Sequence, residues 1–193
     1  MVFILTDVET TGPIPNIYSM TEIGAVVVNR RKVKQTFYGR LKPISDNYVQ
    51  GAMDAIGYSH KYAKDNYDDP KEVMEKFAAW IKSVTPKGDR PVFISDNNGF
   101  DWSFINYYFH YFLGKNPFGF SSRRVGDIYA GMKMDMSKHN DWRKLATTKH
   151  THNPVDDAME VTEALLAMKK MGLKKMNPRP KKKSPVKKPE IKK

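Results

Sequence analysis

Apolar and polar positions along the chain follow two periods in turn, and the switch between them outlines the fold. Val2–Asp7 is a short continuous apolar run of the kind that forms a buried strand. Glu22–Asn29 ("EIGAVVVN") reads as a second strand and Lys32–Leu41 as a third with clearer alternation. The "NRRK" between these two can turn a hairpin, which makes them antiparallel neighbours. Gly12-Pro13-Ile14-Pro15 forces a loop after the first strand. Residues 42–69 are polar and aromatic, with a short helix expected around Met53. Pro70 then opens a helix at its first position, and a 3.6-residue period sets Val73, Phe77, Trp80, Ile81 and Val84 on one face. Pro91–Ser95 is a fourth strand and Phe100–Leu113 an aromatic-rich helix packed on the sheet. The stretch "RRVGDIYAGMK" supplies a fifth short strand or a helix. A last helix runs from about Val155 to Met171 with Ala158, Val161, Leu165 and Met168 inward. Nothing repeats internally. Strands that come first as a meander and then alternate with helices predict an α/β domain on a mixed sheet of about five strands, the first three antiparallel, flanked by helices.

Charge divides the chain where the pattern ends. The 193 residues carry a formal net charge of +12, yet Lys169–Lys193 hold 12 Lys or Arg against the single acid Glu190. The remainder keeps 21 basic and 20 acidic residues and is close to neutral. The stretch "NPRPKKKSPVKKPEIKK" has four prolines and almost no apolar residues, so residues 1–173 are expected to form the domain and 174–193 a disordered basic tail. Such a polycation binds polyanions by counterion release, which makes a nucleic-acid tether the leading reading and a solubilising tail the alternative. Cysteine is absent, which excludes disulfides and thiolate metal sites. No apolar run approaches the length of a membrane span, and no basic segment precedes Val2–Leu5 as in a secretion signal. An intracellular, cytoplasmic protein without membrane contact is expected, with the basic run a possible nuclear address in a eukaryotic cell.

The first strand ends in "TDVETTG". Because strand side chains alternate, Asp7 and Glu9 project to the same side, where two like charges repel unless a cation lies between them. For Asp-x-Glu alone, a strand-end turn with exposed acids is an equally simple account. Two further sites change the balance. In "SDNNGFDWSF", Asp101 stands in the first turn of an otherwise apolar helix, where an acid could be a ligand or only a cap; Asp96, on the loop side, is the weaker candidate. In "KHTHNPVDDAMEV", His152 precedes Asp157 by five residues across Pro154, so a loop-borne imidazole stands above a helix-borne acid. That division suits a general base beside a metal ligand, although a His-Thr-His run by itself is commonly surface decoration.

Taken in order, these segments resemble the DEDDh 3′–5′ exonucleases, a family that includes ribonuclease T, proofreading exonucleases and oligoribonuclease on a ribonuclease-H-like fold. "DVETTG" is similar to the family's first motif. "EIGAVVV" is similar to the strand that follows it. The second motif is matched through Asn97, Phe100, Asp101 and Phe104, and the third through His152, Asp157 and Ala158. The resemblance spans roughly residues 1–170. It departs from the pattern at Asp96, where His is frequent, and at Pro154, where a small residue is common. Asn153 stands where a sister subclass would need Tyr.

The resemblance implies a metal-dependent enzyme that removes nucleoside 5′-monophosphates from the 3′ ends of RNA or DNA, single strands being the expected form. Two divalent ions, Mg²⁺ or Mn²⁺, would be held by Asp7, Glu9, Asp101 and Asp157, with His152 the general base. Thr10 and Thr11 would meet the terminal 3′-hydroxyl, Met20 would wedge between the last two bases, and Asn97 and Phe100 would face substrate. Of the aromatics between Phe100 and Phe112, only one or two are expected to touch a base. Arg123 and Arg124 could meet phosphates or remain solvated. A catalytically inactive nucleic-acid-binding module of the same fold is the alternative, and an endonuclease with a similar carboxylate cluster a third reading. The sequence holds no pattern that fixes an oligomeric state, a homodimer included.

Overall fold

The computed structural model describes residues 1–29 and 32–174; the turn expected at 30–31 and the basic tail expected to follow the domain, from 175 onward, lie outside them. Nine consecutive residues, Val2–Thr10, form strand β1, with every position but Asp7 buried. β2 (Met20–Asn29) and β3 (Lys32–Arg40) complete an antiparallel meander. β4 (Pro91–Ser95) and β5 (Ser122–Arg124) extend the sheet in parallel on the other side of β1. The order β3-β2-β1-β4-β5 leaves β1 at the centre of a five-stranded mixed sheet.

Helices cover both faces. α1 (Gln50–Ala55) and α2 (His60–Asn66) lie in the connection after β3, which is expected to hold one short helix and contains two. α3 (Pro70–Val84) begins on the Asp69 side chain, which accepts hydrogen bonds from the backbone N–H of Lys71 and Glu72, with Pro70 at the first helical position. α4 is Asn98–Leu113, and α5 (Val125–Lys133) follows β5 directly, so the ambiguous "RRVGDIYAGMK" is a strand and then a helix. Short 3₁₀ turns at Met136–Lys138 and Asp141–Leu145 lead to α6 (Pro154–Lys170). Among the described residues no helix is long and apolar enough to cross a membrane.

The alternation of β1 builds a separate core on each face. Val2, Ile4 and Val8 join Phe77, Phe104, Tyr108 and Phe109 beneath α3 and α4. Phe3 and Leu5 join Trp142, Val161, Leu165 and Met168 beneath α5 and α6. Asp7 and Glu9 continue the Phe3–Leu5 side, and therefore emerge where α6 begins.

One glycine allows that meeting. Gly24 pairs with Asp7 across the β1–β2 ladder. A Cβ built on Gly24 would stand 2.1 Å from the backbone carbon of Pro154 and 2.3 Å from the nitrogen of Val155. The head of α6 thus rests on bare β2 backbone beside Asp7, and no flexible side chain is there to yield. Gly24→Ala should therefore destabilise the fold by about 1–3 kcal/mol through overpacking. Urea unfolding checks this: the midpoint should fall with the slope unchanged.

Candidate active site

Three elements that are distant in sequence meet at the C-terminal ends of β1 and β4. β1 contributes Asp7 and Glu9, the first turn of α4 contributes Asp101, and the first turn of α6 contributes Asp157. All four line one cleft of about 250 Å³, together with Asp96, Asn97, Phe100, His150, His152 and Glu160. One carboxylate oxygen from each of Asp7, Glu9 and Asp157 lies within 4.8 Å of the others. Glu9 is 8% exposed, and Asp101 and Asp157 are each 2% exposed.

Local sequence explains the positions. A register shift between Glu9 and Thr10 interrupts the β1–β2 ladder just past the acid pair, the usual place for an irregularity that re-aims side chains. The Asn153 side chain caps α6 by accepting from the N–H groups of Val155 and Asp156. Asp157 then accepts from the backbone N–H of Thr151 at 2.8 Å and of His152 at 3.0 Å. His152 reaches this position with φ of 59°, a left-handed conformation costing about 1–2 kcal/mol for a residue with a Cβ, which the bond to Asp157 helps to offset. Its ring remains half exposed, with Nδ1 4.0 Å from Glu9 Oε1.

Crowding like charges into a dry cleft shifts their titration. Burial first, and then the charges of Asp101, Glu9 and Asp157, raise the Asp7 carboxyl well above its ordinary range. Burial and Asp157 push Glu9 up to about 8, and burial pushes Asp101 up to about 8. Asp101 Oδ2 is buried without a hydrogen-bond partner. A set of hard oxygen donors that resists ionisation, with one oxygen unsatisfied, fits divalent cations of the Mg²⁺ or Mn²⁺ type.

The residues expected to face substrate differ in where the fold places them. Met20 is fully buried: β2 begins two residues earlier than its apolar run indicates, and Met20 N–H donates to the hydroxyl of Tyr108 in the core at 2.8 Å. Thr11 is also fully buried, its hydroxyl donating to Asn47 O and accepting from Ser19 N–H, so it is committed to holding loops together. Thr10 is 6% exposed and its hydroxyl donates to Gly12 O. Phe100 and Asn97 do line the cleft. Arg124 turns inward to donate from Nε to Asp96 O, and neither it nor Arg123 is among the cleft-lining residues.

Other cleft residues went unread in the sequence. His150 Nδ1 lies 3.0 Å from Asp157 Oδ2, and its ring meets that of His152 at 4.5 Å between centroids. Glu160 sits one helical turn past Asp157, an acid among the inward positions of α6, and this spacing was a usable signal. Arg143 bridges Glu160 at 2.9 Å and also binds the Asp96 carboxylate. It comes from a 3₁₀ turn that no periodicity announces.

With this geometry in view, known proteins can be compared. The family described as the 3′-5′ exoribonuclease Rv2179c-like domain matches residues 2–168. The chain is 42% identical over 142 residues to the 3′-5′ DNA exonuclease Cap18 of Escherichia coli, covering 74% of this chain and 72% of that protein. Among solved structures, a 3′-exonuclease recognising the 3′ end of a histone mRNA stem-loop superposes with a TM-score of 0.72 at 16% identity, covering 89% of this chain and 64% of that one. The nuclease domain of 3′hExo, a DEDDh family member bound to rAMP, superposes with a TM-score of 0.70 at 17% identity, covering 89% and 92%. At these identities the two superpositions establish the fold, a ribonuclease-H-like mixed sheet.

The raised carboxyls have a consequence for stability. Glu9 and Asp101 are protonated in the metal-free fold and ionised in the unfolded chain between their ordinary pKa and about 8, so the fold holds more protons there and loses stability as pH rises. In chelator, the melting temperature should fall from pH 5 to pH 8. Added Mn²⁺ should raise it most at pH 8, and Glu9→Gln should shrink the decline. Scanning calorimetry reads all three; a metal-free protein more stable at pH 8 than at pH 5 contradicts the assignment.

Proposed function

The chain belongs to the Rv2179c-like 3′-5′ exoribonuclease domain family, and from that premise we propose that it hydrolyses phosphodiester bonds one nucleotide at a time from the 3′ end, using divalent cations held by Asp7, Glu9, Asp101 and Asp157. That it is a 3′–5′ exonuclease acting on nucleic acid follows from the family and the relative; the metal-assisted mechanism and the residue roles are the proposal. The observation that carries it is the convergence of the Asp7, Glu9 and Asp157 oxygens within 4.8 Å, in a cleft that Asp101 also lines.

Divalent cations at these carboxylates would neutralise charge on the phosphodiester and generate a nucleophilic hydroxide near neutral pH. The protein's own groups divide the remaining work. Asp7, whose carboxyl lies within reach of Glu9 and Asp157 and feels the charge of Asp101, would hold a cation from the central strand. Asp157, fixed by two backbone N–H groups, is the rigid ligand from α6. His152, half exposed and 4.0 Å from Glu9, takes the proton from the attacking water on its ring nitrogen, and being loop-borne it can swing to release it. Phe100, partly exposed on the wall of the cleft, offers a face to the terminal base, and Asn97 lies at the rim. The family's description names RNA and the 42% identical relative is named for DNA, so matched strands of both sugars belong in the test.

The direct test incubates 5′-labelled single-stranded RNA and DNA of one sequence with enzyme and Mn²⁺. A ladder shortening from the 3′ end is expected. Asp7→Asn or Asp157→Asn should lower the rate by at least about a thousandfold, whereas His152→Ala should reduce kcat by about 10²–10⁴ with little change in KM. Wild-type rates for Asp7→Asn in metal-controlled buffer would overturn the mechanism.

The basic tail is assigned to the substrate's phosphate backbone. Removing residues 174–193 should weaken oligonucleotide binding and flatten the slope of log Kd against log salt, with kcat at saturating substrate retained. An unchanged slope removes the tail from binding.

A further inference from the structure

The imidazole of His150 has no task in the hydrolysis described above, yet it is held against one of its carboxylates. Its Nδ1 stands 3.0 Å from Asp157 Oδ2, and its ring meets the His152 ring at 4.5 Å between centroids with 73° between planes. One potential ligand atom from each of His150, His152 and Asp157 lies within 4.8 Å of the other two. All three residues line the cleft. This donor set differs in kind from Asp7, Glu9 and Asp157, which offer oxygen alone.

We propose that His150, His152 and Asp157 form a second cation site, selective for borderline ions such as Zn²⁺, whose occupation switches the nuclease off. Two imidazoles and a carboxylate are the ligand types of zinc and its neighbours, while Mg²⁺ favours oxygen donors. With metal–nitrogen distances of about 2.0–2.1 Å, tetrahedral ligand atoms lie about 3.3 Å apart. The His150–Asp157 pair, at 3.0 Å, is already within a few tenths of that separation. No separation among the three exceeds 4.8 Å, so each closes with a movement of at most about 1.5 Å, and both rings are nearly half exposed on a loop. Asp157 is the member that cannot move, being 2% exposed and bound to two backbone N–H groups. The site is therefore built around a fixed acid by two adjustable imidazoles, with a fourth position open to water.

Inhibition follows from sharing. A zinc ion bound here occupies the ring that would accept the water's proton and competes for the carboxylate that α6 contributes to the hydrolytic cations. This consequence rests on the roles proposed above for His152 and Asp157; the binding itself does not. His150 is then the discriminating residue, because it belongs to this site and not to the carboxylate cluster.

The test titrates Zn²⁺ by calorimetry into the metal-stripped full-length chain, in excess Mg²⁺ so that the oxygen-only site is occupied. Wild type is compared with His150→Gln. One zinc should bind wild type, and the affinity should drop at least about tenfold in the variant. In parallel, the zinc concentration that halves the Mg²⁺-supported rate, each protein normalised to its own zinc-free rate, should rise by the same factor in His150→Gln. Circular dichroism checks that the variant is folded, and His150→Cys, which restores a zinc ligand, should recover most of the affinity. Equal zinc binding and equal inhibition in wild type and His150→Gln overturn the inference, as does zinc binding that depends on His150 but leaves the rate untouched. Either result leaves the carboxylate mechanism standing, because that is tested separately by Asp7→Asn.

Discussion

Gathering carboxylates in a cleft of about 250 Å³ is unfavourable, and much of the architecture around the site exists to enforce it. Burial alone raises the cost of ionising each group, and every neighbour raises it further. Glu9 and Asp101 both move up to about 8, and Asp7 moves higher than its ordinary range for the same two reasons. No arrangement of free side chains would choose this. The cluster persists because its members are mounted on three elements that the two hydrophobic cores lock to one sheet, so the repulsion is met by packing energy from elsewhere in the fold.

The mounting is economical in parts. β1 is the central strand, flanked by β2 and β4, and its alternation places apolar side chains on both faces up to Leu5 before the acids begin. Bare backbone at Gly24 lets the head of α6 settle beside Asp7. The loop that enters this helix presents the Thr151 and His152 N–H groups to Asp157 in its first turn. The site is thus most rigid where α6 meets the sheet and most adjustable in the loop that carries the two histidines.

What could be read in the sequence follows from which interactions are local. The strands at Val2 and Pro91, the helix beginning at Pro70 and the inward stripe of α6 all have short-range patterns, and the structure places each of them within a few residues of expectation. The carboxylate set was legible because each acid interrupts an apolar element at its end, and the family resemblance supplied their common purpose. The burial of Met20 and Thr11 was not legible, for one reason. Whether a residue near a motif faces solvent or core depends on the ladder and its register shift, which are tertiary facts. Arg143 and the 3₁₀ turn that carries it have no periodic signature, so the bridge to Asp96 and Glu160 could only appear once the chain was folded.

That bridge also explains how one cleft can hold so many acids. Six carboxylates line it: Asp7, Glu9, Asp96, Asp101, Asp157 and Glu160. Two of them, Asp96 and Glu160, are already engaged by the guanidinium of Arg143, which itself lies over the Trp142 ring at 4.6 Å. Asp96 is held a second time, through its backbone carbonyl, by Arg124. Among the described residues, no lysine or arginine pairs with Asp7, Glu9, Asp101 or Asp157 within ion-pair distance. The protein thus supplies its own cation to Asp96 and Glu160 and, among the described residues, no lysine or arginine to the four acids proposed as ligands. An internal cation beside Asp7 would relieve the same repulsion, but it would also fill the place proposed above for a divalent ion. Unrelieved crowding of this kind would favour a small, doubly charged partner at the proposed site, and the Arg143 bridge confines the crowding to Asp7, Glu9, Asp101 and Asp157.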